Sequence, residues 1–155
     1  MKSGFAGAAR TLQVPGIEDV VPLLEDVNLP VSDLNSAMLK HFLGAYKDTE
    51  LIAVGGLEVY ARHALLRSLA TAPAHRNQGF ASKIVSALEL HARSAGVADL
   101  YLLTETAEAY FAIRGFAVIP RDAAPPSIAG SPQFRELCPA SAALMHKGLA
   151  TFFNC

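Results

Sequence analysis

One short stretch of the chain combines a cation, a glycine and a small residue at a spacing suited to anion binding. The sequence AHRNQGFASKI, residues 74–84, holds Arg76, Gly79 and Ala81 directly before an amphipathic run. The first N–H groups of a helix have no partner within it, and a glycine lets an anion approach the backbone without a Cβ in the way. Arg76 adds a charged, forked donor. We predict a pyrophosphate-binding turn that uses the backbone amides around Gly79.

The spacing R-x-x-G-x-A alone also fits an ordinary loop before a helix. Here it follows an apolar strand ending in LATAP and opens a long amphipathic pattern, which is the context that an anion-binding turn requires. The more familiar glycine-rich phosphate loops, GxxxxGKS/T and GxGxxG, do not occur in the sequence. The prediction therefore depends on the position of the turn between a strand and a helix.

Hydrophobic periodicity predicts the elements that position this turn. The chain opens with an edge strand at TLQV, a helix that starts at Pro15, and a second short helix capped by Ser32. A hairpin follows from Phe42, with its polar turn at Lys47 to Glu50, and ARHALLRSLATAP supplies a third strand. We expect these three strands to be neighbours in one sheet.

The second half of the chain alternates helix and strand. Past Pro73 the period becomes helical up to a left-handed cap at Gly96; ADLYLLT then predicts a buried strand, and TAEAYFAIRGF a short helix that stops at Gly115. A strand–helix–strand unit has a right-handed crossover, so the strands on either side of the long helix are predicted to be parallel. The turn-rich stretch RDAAPPSIAGSPQFRELCP is predicted to wrap the surface, with Ser131 and Pro132 as cap and first residue of a helical turn, and ASAALMHKGL is a last strand. The fold class is α+β, with an α/β-like mixed sheet.

Composition and charge exclude several classes of function. At 155 residues, 52% apolar and 17% charged, the sequence is that of one packed domain, residues 1–155, in which residues 1–10 are a candidate flexible leader. A formal net charge of −1 gives no basic surplus for nucleic acid, and no apolar run reaches the roughly 18 residues of a membrane span. Cys138 and Cys155 show no metal-binding or disulfide pattern, which favours a reducing, cytoplasmic compartment.

These motifs together resemble a known family. LATAPAHRNQGFAS followed by YFAIRGF resembles the GNAT superfamily of acyl-CoA-dependent N-acetyltransferases, and the resemblance covers nearly the whole chain. The stretches GLEVYARHALLRSLA, LYLLTETAEAYFAIRGF and PQFRELCPASAALM are similar to the arsenic-resistance N-acetyltransferase branch, and more weakly to N-acetylglutamate synthase domains. The resemblance implies a V-split central sheet flanked by helices.

The resemblance also implies acetyl-CoA as the co-substrate. Its pantetheine arm would lie beside the strand at Leu69, Ala70 and Thr71 and pair like an extra strand, and backbone amides there would be donors to the oxyanion. The residues that would bind its pyrophosphate are Arg76, Asn77, Gln78, Gly79, Phe80, Ala81 and Ser82.

Two positions depart from the family pattern. Arg67 stands where the family often has a glutamate base, and Phe111, next to Tyr110, stands where it often has a tyrosine acid. Arginine cannot act as a base but can fork onto a carboxylate, so Arg67 is predicted to bind an amino-acid-like substrate; a surface or salt-bridged arginine is the alternative. Tyr110 is the candidate acid, with core packing of both aromatic rings as the alternative.

Other side chains complete the candidate set. Glu58 in GLEVY is the candidate general base, with an exposed strand carboxylate as the alternative. Thr104, Glu105 and Thr106 follow a parallel strand, where open sheets bind ligands, and are predicted substrate contacts, although both threonines also suit a helix cap. The residues assigned to the scaffold are His63, His75, His91 and Cys138. No metal site is predicted.

The function predicted from these residues is acetyl-CoA-dependent N-acetyl transfer to the amine of a small amino-acid-like substrate. The branch resemblance indicates an arsenic-containing or toxic amino-acid analogue. Because Arg67 and Phe111 replace the usual base and acid, a catalytically weak acyl-CoA-binding regulatory module is the alternative. The expected partner is a small-molecule amine. No binding to nucleic acid or to a membrane is expected, and whether the protein forms a homodimer is left open.

Overall fold

The computed structural model describes residues 11–149; the candidate leader, residues 1–10, and Cys155 lie outside this range. The strands are β1 (Leu12–Gln13), β2 (Phe42–Lys47), β3 (Glu50–Tyr60), β4 (His63–Thr71), β5 (Asp99–Thr104), β6 (Ala117–Ile119) and β7 (Ala143–Gly148). The α-helices are α1 (Ile17–Asp26), α2 (Phe80–Ser94), α3 (Glu108–Ile113) and α4 (Pro126–Ala129). Short 3₁₀ helices occur at Ser36–His41, Pro73–His75 and Arg121–Ala123, and a π-helical turn at Gln133–Leu137.

The strands of residues 11–149 form one seven-stranded mixed sheet in the order β1-β2-β3-β4-β5-β7-β6. Antiparallel pairs join β1 to β2, β2 to β3, β5 to β7 and β6 to β7, whereas β4 and β5 are parallel. The predicted fold class, the edge strand, the neighbouring hairpin strands and the parallel pair are confirmed. The β4–β5 pairs run from His63↔Asp99 to Leu65↔Tyr101, although β4 continues to Thr71 and β5 to Thr104.

The described chain divides into two compact units. The first unit comprises residues 11–57 and 68–91, and the second unit comprises residues 58–67 and 92–149. The unit boundaries fall within β3, β4 and α2, so these elements contribute to both. The predicted cofactor-binding residues belong to the first unit, whereas the predicted catalytic and substrate-binding residues belong to the second.

Helix α1 contributes to the core of the first unit although it contains a proline. Val20, Leu23 and Leu24 recur at helical spacing and are buried. Pro22 removes one helical hydrogen bond, and the burial of this apolar face offsets its loss. The same core cluster includes Leu39, Phe42, Leu51, Val54 and Ala70.

Helix α2 lies close against β3 in the first unit. A Cβ built on Gly55 would come within 2.8 Å of Ile84 Cγ2 and 3.2 Å of Leu88 Cδ1, which is closer than side chains normally pack. Ile84 and Leu88 are both buried, as their helical spacing predicts. The missing side chain of Gly55 therefore permits the close approach that fixes α2 on the sheet.

The turn-rich segment of the second unit contributes to its core. Ile128 of α4 is fully buried together with Leu65, Tyr101 and Leu144, and Phe134 packs against this cluster. The sequence predicts a segment that wraps the surface, and the burial of Ile128 departs from this expectation. An isolated isoleucine among turn formers has no periodicity, so the pattern does not indicate its burial.

The cap of the second short helix also differs from the expectation. The helix is the 3₁₀ helix at Ser36–His41, and its cap is Asn35, whose Oδ1 accepts a hydrogen bond from Met38 N–H at 3.1 Å. Ser32 precedes this start by several residues and does not cap the helix. Both residue types favour caps, so composition alone does not separate them.

Later elements agree with the prediction in part. Ser131 Oγ accepts a hydrogen bond from Phe134 N–H at 3.3 Å, as a cap should, but the turn begins at Gln133 rather than Pro132. Gly96 has a left-handed φ of 86°, which confirms the predicted cap of α2, and Gly115, the residue predicted to stop α3, has a φ of 96°. The pattern does not predict β6, because three residues are too few to show a strand period. None of the helices in the described part of the chain has the length and apolarity needed to cross a membrane.

Candidate functional site

The predicted anion-binding turn leads directly into α2. Lys83 N–H donates to the Gly79 carbonyl oxygen at 3.1 Å, which makes Gly79 the acceptor of the first helical hydrogen bond. The N–H groups of Phe80 and Ala81 precede this bond, so the helical ladder offers them no acceptor. Together with the partial positive charge at a helix N-terminus, these groups suit an anion.

The backbone of this turn is left-handed at two residues. Asn77 has a φ of 64° and Gly79 a φ of 85°, and the second value favours glycine. Apart from its chain neighbours, no heavy atom of the described residues lies within 4 Å of the place where a Cβ on Gly79 would be. Arg76 and Gln78 are exposed. The turn therefore offers open space, backbone donors and an accessible guanidinium.

The last residues of β4 carry the main chain predicted to lie beside the pantetheine arm. Ser68 has a φ of 57°, which is outside the strand region and interrupts the regular alternation of β4. Beyond it, Ala70 is buried and Leu69 and Thr71 are half-buried. The irregular backbone at Ser68 reorients the peptide groups that follow, and these groups are candidates for ligand contacts.

Glu58 and Arg67 form a buried ion pair in the second unit. Arg67 Nη1 lies 2.5 Å from Glu58 Oε2, and the two side chains are 1% and 9% exposed, respectively. The hydroxyl of Tyr60 donates a hydrogen bond to Oε1 of the same carboxylate. Each oxygen of Glu58 therefore has a donor, one of them charged and the other neutral.

This pair brings together the candidate base and the arginine predicted to bind substrate. The salt-bridged alternative describes Arg67 in this structure. Glu58 is not the exposed strand carboxylate of the alternative interpretation. Sequence analysis missed Tyr60, although residues two apart on a strand share a face and GLEVY contains both.

The three residues at the end of β5 have different surroundings. Thr104 Oγ1 accepts a hydrogen bond from Ala107 N–H at 3.0 Å, in the turn before α3, whose N-cap is Ala107 and has no side-chain cap. Glu105 and Thr106 are exposed. Ser141 Oγ donates to Glu105 Oε2 at 3.4 Å. Glu105 and Thr106 are thus open to solvent, whereas the hydroxyl of Thr104 stabilises the turn before α3.

The adjacent aromatic residues of α3 differ in burial. Phe111 is buried, and its ring packs edge-on against Phe116 at a centroid distance of 5.6 Å. Tyr110 is half-buried, with the guanidinium carbon of Arg114 3.6 Å from its ring centroid. The core-packing alternative therefore describes Phe111. Tyr110 supplies the only phenol hydroxyl of the motif YFAIRGF.

Histidines take part in hydrogen bonds within each unit. His41 Nδ1 and His91 Nε2 are 2.8 Å apart in the first unit. Burial lowers the pKa of His41, and the neighbouring His91 and Lys40 lower it further. In the second unit His146 Nε2 lies 2.8 Å from Asp99 Oδ1. Across residues 11–149, no group of three or more His, Cys, Asp or Glu side chains is arranged to hold a metal ion.

An acidic cavity of about 390 Å³ lies in the first unit, and no predicted site residue lines it. Its walls are formed by Glu18, Asp19, Pro22, Leu23, Asp26, Thr49, Glu50, Leu51 and Ala72. The Tyr46 hydroxyl donates to Asp19 Oδ2 at 2.8 Å, and burial together with this bond raises the pKa of Tyr46. The carboxylates come from α1 and from the first residue of β3, so no local motif marks this cavity.

Comparison with known proteins decides the family. The model of the Acetyltransferase (GNAT) family matches residues 18–116, well over half of the chain. The chain belongs to the GNAT acetyltransferase family. The matched range contains the ion pair of Glu58 and Arg67, the turn before α2, and Tyr110. A search of curated protein sequences finds no match.

Solved structures share the fold of this GNAT protein. N-acetylglutamate synthase from Neisseria gonorrhoeae, complexed with coenzyme A and N-acetyl-glutamate, has a TM-score of 0.78 at 17% identity, covering 91% of this chain and 35% of that chain. Rv2747 from Mycobacterium tuberculosis, in complex with CoA and NLQ, has a TM-score of 0.74 at 19% identity, covering 90% and 99%. PaiA N-acetyltransferase from Thermoplasma acidophilum, in complex with coenzyme A, has a TM-score of 0.61 at 16% identity, covering 89% and 98%.

The chain spans about a third of the length of the Neisseria synthase that it matches. The structural likenesses confirm the fold that the sequence motifs predict, and the family match confirms the predicted membership of the GNAT family.

Proposed function

We propose that this GNAT protein transfers the acetyl group of acetyl-CoA to the amine of a small amino-acid-like substrate. The observation that carries the proposal is the turn before α2, which presents the first N–H groups of the helix beside the open space at Gly79. The synthase and Rv2747 structures contain coenzyme A, which supports the same co-substrate here.

The proposed coenzyme contacts follow from the surroundings of each residue. The residues from Arg76 to Ser82 bind the pyrophosphate, with the exposed Arg76 as the charged donor. The main chain of Leu69, Ala70 and Thr71 binds the pantetheine arm and supplies donors to the oxyanion. The left-handed Ser68 directly before this segment supports the assignment, because regular strand backbone would direct these groups to neighbouring strands.

The acceptor proposed is an amino acid or a close analogue. Arg67 and Glu58 provide one positive and one negative group, the complement of a zwitterion. Thr104, Glu105 and Thr106 are proposed as further substrate contacts, and Glu105 and Thr106 are the exposed members of this set. The N-acetyl-glutamate in the synthase structure supports an amino-acid acceptor. The resemblance to the arsenic-resistance branch adds arsenic-containing amino-acid analogues to the candidates.

The proposed chemistry is direct attack without an acyl-enzyme. The amine nitrogen forms a bond to the acetyl carbon, the carbon–sulfur bond breaks, and the amine loses a proton. Glu58 is the proposed proton acceptor, because a carboxylate has about four acceptor sites and Arg67 and Tyr60 occupy only part of them. Tyr110 is the proposed proton donor to the leaving thiolate.

A catalytically weak acyl-CoA-binding regulatory module is the second candidate. The observation in its favour is that both oxygens of Glu58 already accept hydrogen bonds within the protein. A carboxylate held in this way can serve a structural role alone, and the turn before α2 would then bind coenzyme without turnover.

A substrate-panel assay separates the two candidates. The protein is incubated with acetyl-CoA and one amine at a time, covering the standard amino acids and arsenic-containing analogues, and both free thiol and product mass are measured. The enzyme proposal expects thiol release with at least one amino acid and a product heavier by one acetyl group. Acetyl-CoA binding without thiol release on any amine would favour the regulatory module, and absence of binding would contradict both.

We further propose that the enzyme is a single domain, lies in the cytoplasm and forms a homodimer. Sedimentation velocity tests the homodimer, and a monomer at micromolar concentration would contradict it.

A further inference from the structure

Tyr60 contacts the candidate base from the same strand of the second unit. It lies two residues after Glu58 on β3, and side chains two apart on a strand lie on the same face. Its hydroxyl donates to Glu58 Oε1, while Arg67 Nη1 donates to Oε2. Its ring packs against the buried cluster that contains Leu65 and Tyr101.

We propose that Tyr60 is a positioning residue, which acts through its hydrogen bond to Glu58 and fixes the orientation of the base. This inference depends on the proposed function, in which Glu58 accepts the proton of the amine. No comparison and no sequence motif assigns a role to Tyr60.

Two hydrogen bonds fix the orientation of the Glu58 carboxylate. Two donors on different oxygens hold the carboxylate plane, because rotation about its last bond would break both hydrogen bonds together. The Tyr60 hydroxyl is held in turn by a ring that is packed in the core cluster. The remaining acceptor sites of Glu58 therefore keep a fixed direction toward a substrate amine.

The hydroxyl of Tyr60 adds only its polar contacts, because packing of the ring would be equally good for phenylalanine. The hydroxyl is a neutral donor to one oxygen of Glu58, whereas Arg67 is a charged donor to the other. Tyr60 can therefore orient the base separately from the ion pair.

The substitution Tyr60→Phe tests the proposal, with Tyr101→Phe as the matched control. Tyr101 is a buried tyrosine of the same cluster, and its ring contacts are with His63 and His146 rather than with Glu58. For wild type and both variants, kcat and KM are measured across pH with acetyl-CoA and the amine that reacts fastest in the substrate panel. The affinity for acetyl-CoA and the melting temperature are measured alongside.

We expect Tyr60→Phe to lower kcat by about tenfold, the factor associated with losing one hydrogen bond to a charged group. The loss should appear in kcat at every pH tested, because the base without this donor is no longer held in a fixed direction toward the amine. KM for acetyl-CoA should stay unchanged. Tyr101→Phe should leave the profile in place even if it lowers the melting temperature.

A Tyr60→Phe profile that superimposes on that of wild type would overturn the proposal, as would equal changes in the two variants. A measurement that needs no turnover tests the hydrogen bond independently of the proposed function. The carboxyl carbon of Glu58 is followed by NMR at a fixed pH, and Glu58→Gln identifies its signal. A chemical shift that changes in Tyr60→Phe but not in Tyr101→Phe supports control of Glu58 by Tyr60, whereas an unchanged shift contradicts it. Absence of turnover in wild type on every amine contradicts the proposed function instead.

Discussion

The buried ion pair of Glu58 and Arg67 predicts an asymmetric effect on stability. Arg67→Met removes the charged partner of a carboxylate whose side chain is only 9% exposed. Removing one partner of a buried pair costs about 3–5 kcal/mol of the free energy of unfolding, because the remaining charge is left poorly solvated. Tyr60 still donates to Glu58, so we expect a cost near the lower end, about 3 kcal/mol.

Removal of both charges should cost less than removal of one. In the double variant Glu58→Gln/Arg67→Met, an amide oxygen can still accept from Tyr60, and an apolar chain replaces the stem of the arginine. Replacing a buried pair by uncharged groups is often close to neutral, so we expect the double variant to lie within about 1 kcal/mol of wild type. The coupling energy of the cycle should then be about 2 kcal/mol or more.

Urea unfolding of the four proteins, followed by circular dichroism, measures these free energies. Similar m-values would show that each protein exposes the same surface on unfolding. Arg135→Ala is the control, because this side chain is 61% exposed and its contact with Glu136 at 3.9 Å should contribute less than about 1 kcal/mol. The reasoning is refuted if the cost of the double variant equals the sum of the single costs, or if Arg67→Met costs less than about 1 kcal/mol.

Two further predictions concern Arg76 and His41. Arg76→Ala should weaken acetyl-CoA binding in calorimetric titration by about 1–3 kcal/mol, the range for a lost charge-assisted contact. The control Arg135→Ala should leave this binding unchanged. An Arg76→Ala affinity equal to that of wild type would contradict the pyrophosphate assignment. Because burial, His91 and Lys40 lower the pKa of His41 below 6.5, the folded protein binds fewer protons than the unfolded chain just below that pH. Stability should therefore fall as the pH decreases through about 6.5, and His41→Gln should flatten this dependence of the melting temperature; an unchanged slope would show that another group causes it.

The sequence predicts the strand–turn–helix unit well because its signals are local. Gly79 precedes the start of α2 and Gly96 follows its end, and the spacing of Ile84 and Leu88 identifies its buried face. Each of these signals depends on the conformation of a few consecutive residues. The crossover rule then predicts the parallel pairing of β4 and β5, which the structure confirms.

The direction of Arg67 cannot be predicted in the same way. The residues from Ala64 to Arg67 are buried in succession, so β4 lacks the alternation that separates two faces. The left-handed Ser68 then interrupts the strand period. The partner of Arg67 lies on another strand, and only tertiary structure brings Glu58 to it.

Contacts between distant residues account for the other omissions. His41 and His91 are 50 positions apart, and neither neighbourhood contains a signal for the other. The acidic cavity likewise combines α1 with the start of β3. Tyr60 is different, because its two-residue spacing from Glu58 is visible in GLEVY, and strand periodicity predicts that the two share a face.

The central claim is that the turn at Gly79 binds the pyrophosphate of acetyl-CoA, and a pair of glycine variants tests it most directly. Gly79 and Gly96 have φ values of 85° and 86°, and at neither would a Cβ meet a heavy atom within 4 Å beyond its chain neighbours. Gly79→Ala and Gly96→Ala should therefore introduce similar backbone strain, roughly 1 kcal/mol, before and after α2. In calorimetric titration with acetyl-CoA, Gly79→Ala should bind about tenfold more weakly than wild type, and Gly96→Ala within about twofold of it. Equal affinities in the two variants would contradict the claim.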